Sequence, residues 1–72
     1  SDALMGREGR VIEAIRPGDF GYVKIDGDEW KAQSSDDTTI EVGTTVKVIG
    51  RESIIISVER VQTSTYNNNQ PT

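Results

Sequence analysis

Cysteine and histidine are both absent from the sequence, and each absence excludes a class of site. Without cysteine the chain can form neither a disulfide framework nor a cysteine-ligated zinc site. Without histidine it lacks the commonest metal ligand and the commonest general base. A domain of 72 residues buries only a small core. Its stability must therefore come from packing alone, and we expect no cofactor.

Long hydrophobic runs are also missing. No stretch approaches the roughly 18 consecutive apolar residues of a transmembrane helix, and residues 1–10 lack the apolar centre of a signal peptide. The formal net charge is −4, and the eight basic residues are scattered between Arg7 and Arg60. Strong binding to a phosphate backbone needs a basic face. We therefore expect the chain itself to be soluble and do not expect nucleic acid as a partner.

The apolar residues are mostly β-branched. The sequence has eight isoleucines and seven valines, but Leu4 is its only leucine. β-Branched side chains are stiff at χ1 and pack well on a pleated sheet, whereas a small helical domain would use leucine and alanine. Short apolar runs alternate with clusters of Gly, Asp and Ser, which is typical of a small barrel or sandwich. We predict five strands, at residues 9–15, 21–25, 29–34, 45–50 and 53–61.

Two hairpins follow from this pattern. Asp26-Gly27-Asp28 lies between two alternating runs, and Gly after Asp supplies the positive φ that a tight hairpin turn requires. Residues 50–53 predict a second hairpin with a slightly longer connection, which would place Ile54, Ile56 and Val58 on the core face. The first strand carries apolar residues on both faces. Either the barrel curls over itself there, or the outer face of that strand meets something.

These features predict an all-β domain, a five-stranded closed or partly open barrel of the OB type. Many OB barrels carry a helix between strands 3 and 4, but here residues 34–43 are too few and too rich in Ser, Asp and Thr for one. We expect a loop with Ile40 as the plug of the barrel. The barrel would span residues 6–62, after a linker or expression remnant at 1–5 and before a disordered polar tail at 63–72.

Three aromatic residues are candidates for a binding surface. Trp30 could be a stacking platform for a base, but its place on the apolar face of strand 3 favours packing in the core. Phe20 and Tyr22 flank Gly21 and could form a small aromatic and basic surface with Lys24, although packing against the core or its rim explains them more simply. Phe20 lies in a loop, so an exposed Phe20 would be an anchor for a protein or membrane contact.

The sequence gives little support for a catalytic or metal-binding site. The carboxylate pairs Asp26/Asp28 and Asp36/Asp37 invite a calcium or acid–base interpretation, but turn chemistry explains them more simply. The glycines within residues 6–9 are not followed by the Lys-Ser/Thr of a phosphate loop. A serine nucleophile would have no histidine base. We predict no catalytic, cofactor-binding or metal-binding residue and no enzyme activity.

An ordered series of motifs extends from Gly6 to Val58. It comprises Gly6-Arg-Glu-Gly9, Arg16-Pro17, Gly21-x-Val23-x-Ile25-Asp-Gly27-x-x-Trp30-x-Ala32 and Ile40-x-x-Gly43-Thr-x-Val46-x-Val48, followed by an isoleucine-rich strand. This series resembles the C-terminal soluble domain of the NfeD family. The resemblance implies an OB barrel attached after several transmembrane helices, in proteins that work beside stomatin- and flotillin-like membrane proteins.

The function that the resemblance implies is a non-catalytic interaction domain of a multi-pass cell-membrane protein, on the cytoplasmic face. It would assist the assembly of flotillin- or stomatin-containing complexes in membrane microdomains, with a flotillin- or stomatin-like protein as the partner. The candidate contact residues are Ile12, Phe20 and Tyr22, because apolar groups there lack an evident core partner. The alternative is a single-stranded nucleic-acid-binding OB module, which is the best-known use of such barrels.

Overall fold

Alternating apolar and polar residues form five strands within residues 2–61, the part of the chain that the computed structural model describes. The strands are β1 (Glu8–Glu13), β2 (Gly21–Ile25), β3 (Asp28–Gln33), β4 (Thr45–Glu52) and β5 (Ile55–Arg60). They form a closed barrel in the order β1-β2-β3-β5-β4, in which β3 and β5 are parallel and all other neighbours are antiparallel. No helix occurs in residues 2–61. The predicted OB-type barrel without a helix after strand 3 is thus confirmed, and the tail predicted at 63–72 lies outside the described residues.

Small branched side chains fill the interior of the barrel. Nine of its ten buried apolar residues are Val or Ile. Such side chains suit the narrow space inside five short strands, because they are stiff and compact on a pleated surface. Within residues 2–61 no polar or charged side chain is buried with them. The ten core residues are Val11, Ile15, Val23, Ile25, Ala32, Ile40, Val46, Val48, Ile56 and Val58.

Ile40 plugs one end of this core, as predicted. The amide of Ile15 donates a hydrogen bond to the carbonyl of Ile40 (3.0 Å), and the amide of Ile40 donates one back to the carbonyl of Ile15 (2.9 Å). Both side chains are buried. The exchange ties the loop after β3 to the segment after β1, so a single loop residue takes the place that a helix fills in many OB barrels.

The first hairpin forms at the predicted position. Asp26 and Gly27 both have positive φ, 51° and 87°, as a type I′ turn requires. Ile25 pairs with Asp28 across the turn, and the register continues unbroken along both strands. Asp26 also accepts an ion-paired hydrogen bond from Arg7. The turn therefore sets which residues of β2 and β3 lie opposite each other.

The second hairpin is tighter than predicted. β4 continues through Gly50, and only Ser53 and Ile54 separate it from β5. The ladder between β4 and β5 shifts register at Ile49, which is the extra residue of a bulge. Gly50 therefore belongs to a bulged strand instead of ending it, and a bulge of this kind gives the same local glycine signal as a turn.

The position of this turn decides which isoleucines reach the core. Ile54, predicted to lie on the core face, is 69% exposed at the turn, and that prediction was wrong. Ile56 and Val58 are buried as predicted. The alternation of inward and outward residues begins only at Ile55, where β5 starts, so Ile54 precedes the part of the chain to which it applies.

Strand β1 also contains a bulge, which explains its apolar residues on both faces. Val11 pairs with Val23 and Glu13 pairs with Tyr22, so Ile12 is the extra residue between them. Val11 is buried, whereas Ile12 is 39% exposed. A bulge bends and twists a strand. The bulge accounts for the first of the two explanations left open by the sequence, the curling of the barrel over itself, and it leaves Ile12 exposed on the outer face.

Gly21 is a position where the fold requires glycine. A Cβ built there would overlap the backbone carbonyl oxygens of Glu13 and Ala14. Gly21→Ala should therefore destabilise the barrel by roughly 1–3 kcal/mol, the usual cost of overpacking. Gly50→Ala is the matched control, because its nearest new neighbour would be the Ser57 Cβ at 3.6 Å. Urea unfolding followed by tryptophan fluorescence measures both variants, and equal stabilities would contradict this account of the packing.

Candidate functional site

One outward-facing row of side chains crosses several strands of the barrel. Tyr22 of β2 lies opposite Glu13 of β1, where Ile12 is the extra residue of the bulge. On its other side Tyr22 pairs with Lys31 of β3, which pairs with Ile55 of β5. Side chains of directly opposed residues stand side by side on one face of a sheet. The row therefore brings together two of the predicted contact residues, Ile12 and Tyr22.

Phe20, the third predicted contact residue, lies at the end of this row. The preceding turn is closed by a hydrogen bond from the Asp19 amide to the Arg16 carbonyl (3.0 Å), and the Asp19 carboxylate accepts one from the Phe20 amide (2.8 Å). The ring is 42% exposed, and the Nζ of Lys31 lies 4.8 Å from its centroid. This is a cation–π geometry. The three predicted residues thus lie on one surface, with Lys31 beside two of them.

Lys31, and not the predicted Lys24, supplies the cation of this surface. Lys24 lies two residues beyond Tyr22 along β2 and pairs with Glu29. The signal that identifies Lys31 is present in the sequence, because counting pairs outward from the two-residue turn puts Lys31 opposite Tyr22.

Another exposed apolar residue, Val42, lies at the same end of the barrel as Ile12 and Phe20. The amide of Gly43 donates to the carbonyl of Val11 (2.8 Å), and the amide of Val11 donates to the carbonyl of Thr44 (3.0 Å). These bonds dock the turn that carries Val42 along the edge of β1 beside Ile12. The sequence analysis missed Val42, because its place depends on backbone bonds to a distant strand. We define the apolar patch as Ile12, Phe20, Tyr22 and Val42.

The opposite end of the barrel is closed around Trp30. Trp30 is half-buried and packs against the core together with Leu4, so the prediction of core packing is only partly right. The Cζ of Arg51 lies 4.9 Å from the centroid of the Trp30 ring, and its Nη1 lies 3.2 Å from the Oδ1 of Asp2. A hydrogen bond from the Leu4 amide, followed by the charge of Arg51, lowers the pKa of Asp2. Trp30 therefore lies at the rim of the barrel, covered by a cation.

Arg60 ties the loop between β3 and β4 to β5. Its Nε donates to the carboxylate of Asp36 (2.8 Å), and its Nη2 donates to the Thr38 hydroxyl (2.8 Å) and the Thr39 carbonyl (2.9 Å). The Asp36 carboxylate also accepts a hydrogen bond from the Thr38 amide (3.0 Å). This backbone bond, followed by the Arg60 side chain, lowers the pKa of Asp36. Asp36 thus has a structural role in the loop.

The described part of the chain shows neither a metal centre nor a membrane-spanning helix. In residues 2–61 no group of three or more Asp, Glu, His or Cys side chains is arranged to hold a metal ion. These residues also include no helix of the length and apolarity needed to cross a membrane. We therefore take the apolar patch as the candidate functional site.

Comparison with known proteins identifies the family to which the chain belongs. Residues 1–60 match the family model described as the NfeD-like C-terminal, partner-binding domain. The chain belongs to the NfeD family. The resemblance noted in its motifs is thus confirmed, and the match describes the chain as a partner-binding domain. Among curated proteins no significant match was found.

Solved structures are similar to this NfeD domain over most of its length. The C-terminal domain of stomatin operon partner protein 1510-C from Pyrococcus horikoshii is 32% identical, with a TM-score of 0.76 over 83% of this chain and 91% of that chain. The soluble domain of the NfeD protein YuaF from Bacillus subtilis is 38% identical, with a TM-score of 0.73 over 82% of this chain and 75% of that chain. The soluble domain of a Corynebacterium glutamicum membrane protein implicated in regulation of membrane protease activity is 32% identical, with a TM-score of 0.72 over 81% and 92%.

The lowered carboxyl pKa values predict that the NfeD domain loses stability in acid. Asp2 and Asp36 have folded-state pKa values below the ordinary 3.8, so the unfolded chain takes up these protons first as the pH falls. The contribution is complete above the ordinary pKa and is lost as the pH falls through the lowered values. Asp36→Asn should therefore reduce the loss of stability below about pH 4.

Thermal unfolding followed by circular dichroism between about pH 6 and pH 2 measures this effect. Asp37→Asn is the control, because the Asp37 carboxylate bonds neither Arg60 nor Thr38. Its pH profile should match that of the unmodified domain. An Asp36→Asn profile that also matches would contradict the assignment.

Proposed function

We propose that this NfeD domain is a non-catalytic interaction module that binds a stomatin- or flotillin-like membrane protein through the apolar patch. The observation that carries the proposal is the patch itself. Ile12, Phe20 and Val42 are large apolar residues, and each is at least 39% exposed at one end of the barrel. A cluster of exposed apolar side chains on a soluble domain marks a surface that a partner covers.

The composition of the patch fits a protein interface. Phe20 and Tyr22 supply aromatic anchors, and the charged residues Glu13 and Arg16 are exposed beside them. Protein interfaces combine an apolar and aromatic centre with a polar rim. The Lys31 ammonium over the Phe20 ring restrains that ring before binding, which lowers the entropic cost of association.

The names of the relatives support the class of partner. One similar structure comes from a stomatin operon partner protein, and another is the soluble domain of a membrane protein. We infer from them that this domain belongs to a membrane-anchored parent and helps to organise stomatin- or flotillin-containing complexes, and we propose the cytoplasmic face of the membrane as its location.

The direction of the strands gives the patch an orientation. Residues 2–7 reach the barrel at the end that carries the turns Asp26-Gly27 and Ser53-Ile54. The apolar patch lies at the other end, because β1 carries the chain there and β2 starts from it. The apolar patch is therefore remote from the point where residues 2–7 join the barrel.

Replacing the anchors should weaken the complex. Ile12→Ser combined with Phe20→Ala should raise the Kd for the cognate stomatin- or flotillin-like protein by at least about tenfold, since anchor residues commonly contribute more than 1 kcal/mol each. Ile49→Ser is the matched control, because Ile49 is also the exposed residue of a bulge, on β4 (45% exposed). Its Kd should not change. Biolayer interferometry with the purified partner measures all three proteins.

Circular dichroism melting of each variant checks that the barrel is intact. Equal affinities of the double variant and the unmodified domain would rule out the patch as the contact surface. Failure of the unmodified domain to bind either class of partner would rule out the function itself.

The charge distribution on the surface does not favour the alternative function, binding of single-stranded nucleic acid. Of the cations, Lys31 lies over Phe20, while Arg51 and Arg60 are each held by a carboxylate, and the net charge is −4. We expect no micromolar binding of mixed single-stranded oligonucleotides at low salt, measured by fluorescence anisotropy of labelled DNA and RNA. Micromolar binding with a steep salt dependence would overturn the proposed function in favour of this alternative.

A further inference from the structure

A groove beside the first half of β3 extends from Tyr22, which it shares with the apolar patch, towards the end of the barrel opposite Phe20 and Val42. It lies at positions that a longer β5 would occupy. Ile55, the first residue of β5, pairs with Lys31, so the first half of β3 has β2 on one side and no strand on the other. The groove is lined by Tyr22, Asp28, Glu29, Trp30, Lys31 and Ile54.

The open half of β3 presents a free pair of backbone groups to this groove. In a two-residue hairpin the residues that flank the turn, here Ile25 and Asp28, exchange hydrogen bonds, and bonded and non-bonded pairs then alternate. Glu29 and its partner Lys24 form the next pair, which is non-bonded. The amide and carbonyl of Glu29 therefore point away from β2. Within residues 2–61 no strand pairs with Glu29 on that side, and Glu29 forms no backbone hydrogen bond outside the strand ladders.

The walls of the groove are apolar and acidic. Trp30 is half-buried and Ile54 is mostly exposed. Asp28 and Glu29 form no ion pair with any residue in 2–61. Of the nearby cations, Lys31 lies over the Phe20 ring and Arg51 is held by Asp2. Lys24 is the cross-strand partner of Glu29 but forms no ion pair with it. The groove thus combines an open strand edge, an apolar wall and two carboxylates without an ion pair.

We propose that this groove binds an extended peptide segment with alternating apolar and basic residues, which adds as a strand to the free edge of β3. The backbone of the segment pairs with the amide and carbonyl of Glu29. An apolar side chain of the segment packs between Trp30 and Ile54. The next residue, a Lys or Arg, points to the opposite face of the sheet, towards the Glu29 carboxylate. Strand addition of this kind takes its affinity from main-chain hydrogen bonds and its specificity from alternate side chains. The proposal does not depend on the partner assigned to the apolar patch.

The peptide acetyl-Lys-Val-Lys-Val-Lys-amide is a direct probe, and its twin with Glu in place of Lys is the control. Binding is followed by amide chemical shifts of the ¹⁵N-labelled domain and by fluorescence of Trp30, which is the only tryptophan of the chain. We expect the basic peptide to shift the Glu29 amide and the Trp30 indole, and the acidic peptide to shift neither.

Two substitutions at one position separate backbone from side-chain recognition. Glu29→Pro removes the free amide without removing a bond of the β2–β3 ladder, as proline at an open strand edge allows. It should weaken peptide binding by about tenfold, the effect of losing one main-chain hydrogen bond. Glu29→Ala keeps that amide and should have a smaller effect that disappears at high salt. Ile54→Ser should weaken binding, whereas Ile49→Ser should not.

Several results would overturn the proposal. These are equal affinities of Glu29→Pro and Glu29→Ala, equal binding of the acidic peptide, or shifts centred on Ile12 and Phe20. Shifts at Glu29 that grow with protein concentration in the absence of peptide would assign the edge to a second copy of the chain. If Glu29→Pro fails to fold, Ile54→Ser decides the question, and unchanged affinity in that variant overturns the proposal.

Discussion

Closure of the sheet upon itself is the constraint on which the rest of this structure depends. β1 pairs with β2 along one edge and with β4 along the other, although it has only six residues. It bends at a bulge in which Ile12 has no partner in the pairing with β2. The end of β1 also approaches β2 so closely that only glycine fits at Gly21. β4 bends in the same way at Ile49. Closure therefore turns two isoleucines outward from a barrel whose interior is already filled.

The two ends of the barrel are each organised by an arginine. Arg51 covers Trp30 and binds Asp2 at the end where residues 2–7 meet the barrel. Arg60 binds the loop between β3 and β4 at the other end. Exposed ion pairs contribute little to stability, so the main effect of these contacts is on position. Arg60 restrains the loop whose later turn carries Val42, and Arg51 restrains the rim beside the groove.

A barrel packed with Val and Ile has no room inside for chemistry, so this NfeD domain can act only through its outer surface. The apolar patch and the groove at β3 adjoin at Tyr22, extend towards opposite ends of the barrel and differ in character. The patch offers side chains such as Phe20 and Val42, which suit a folded partner. The groove offers the free backbone of Glu29, which suits an extended one. The family description, a partner-binding domain, agrees with an outer surface organised for contact.

The sequence by itself determined the features that depend on local chemistry. The excess of β-branched residues determined the all-β class, and the Asp26-Gly27 turn determined the first hairpin and, by counting, the position of Lys31 opposite Tyr22. Only the tertiary structure decided that Ile54 is exposed, that Trp30 lies at the rim and that Val42 joins the apolar patch. The physical reason is that side-chain alternation and turn dihedrals are properties of neighbouring residues. Bulges arise from closure of the barrel, and loop positions arise from hydrogen bonds to strands that are distant in the chain.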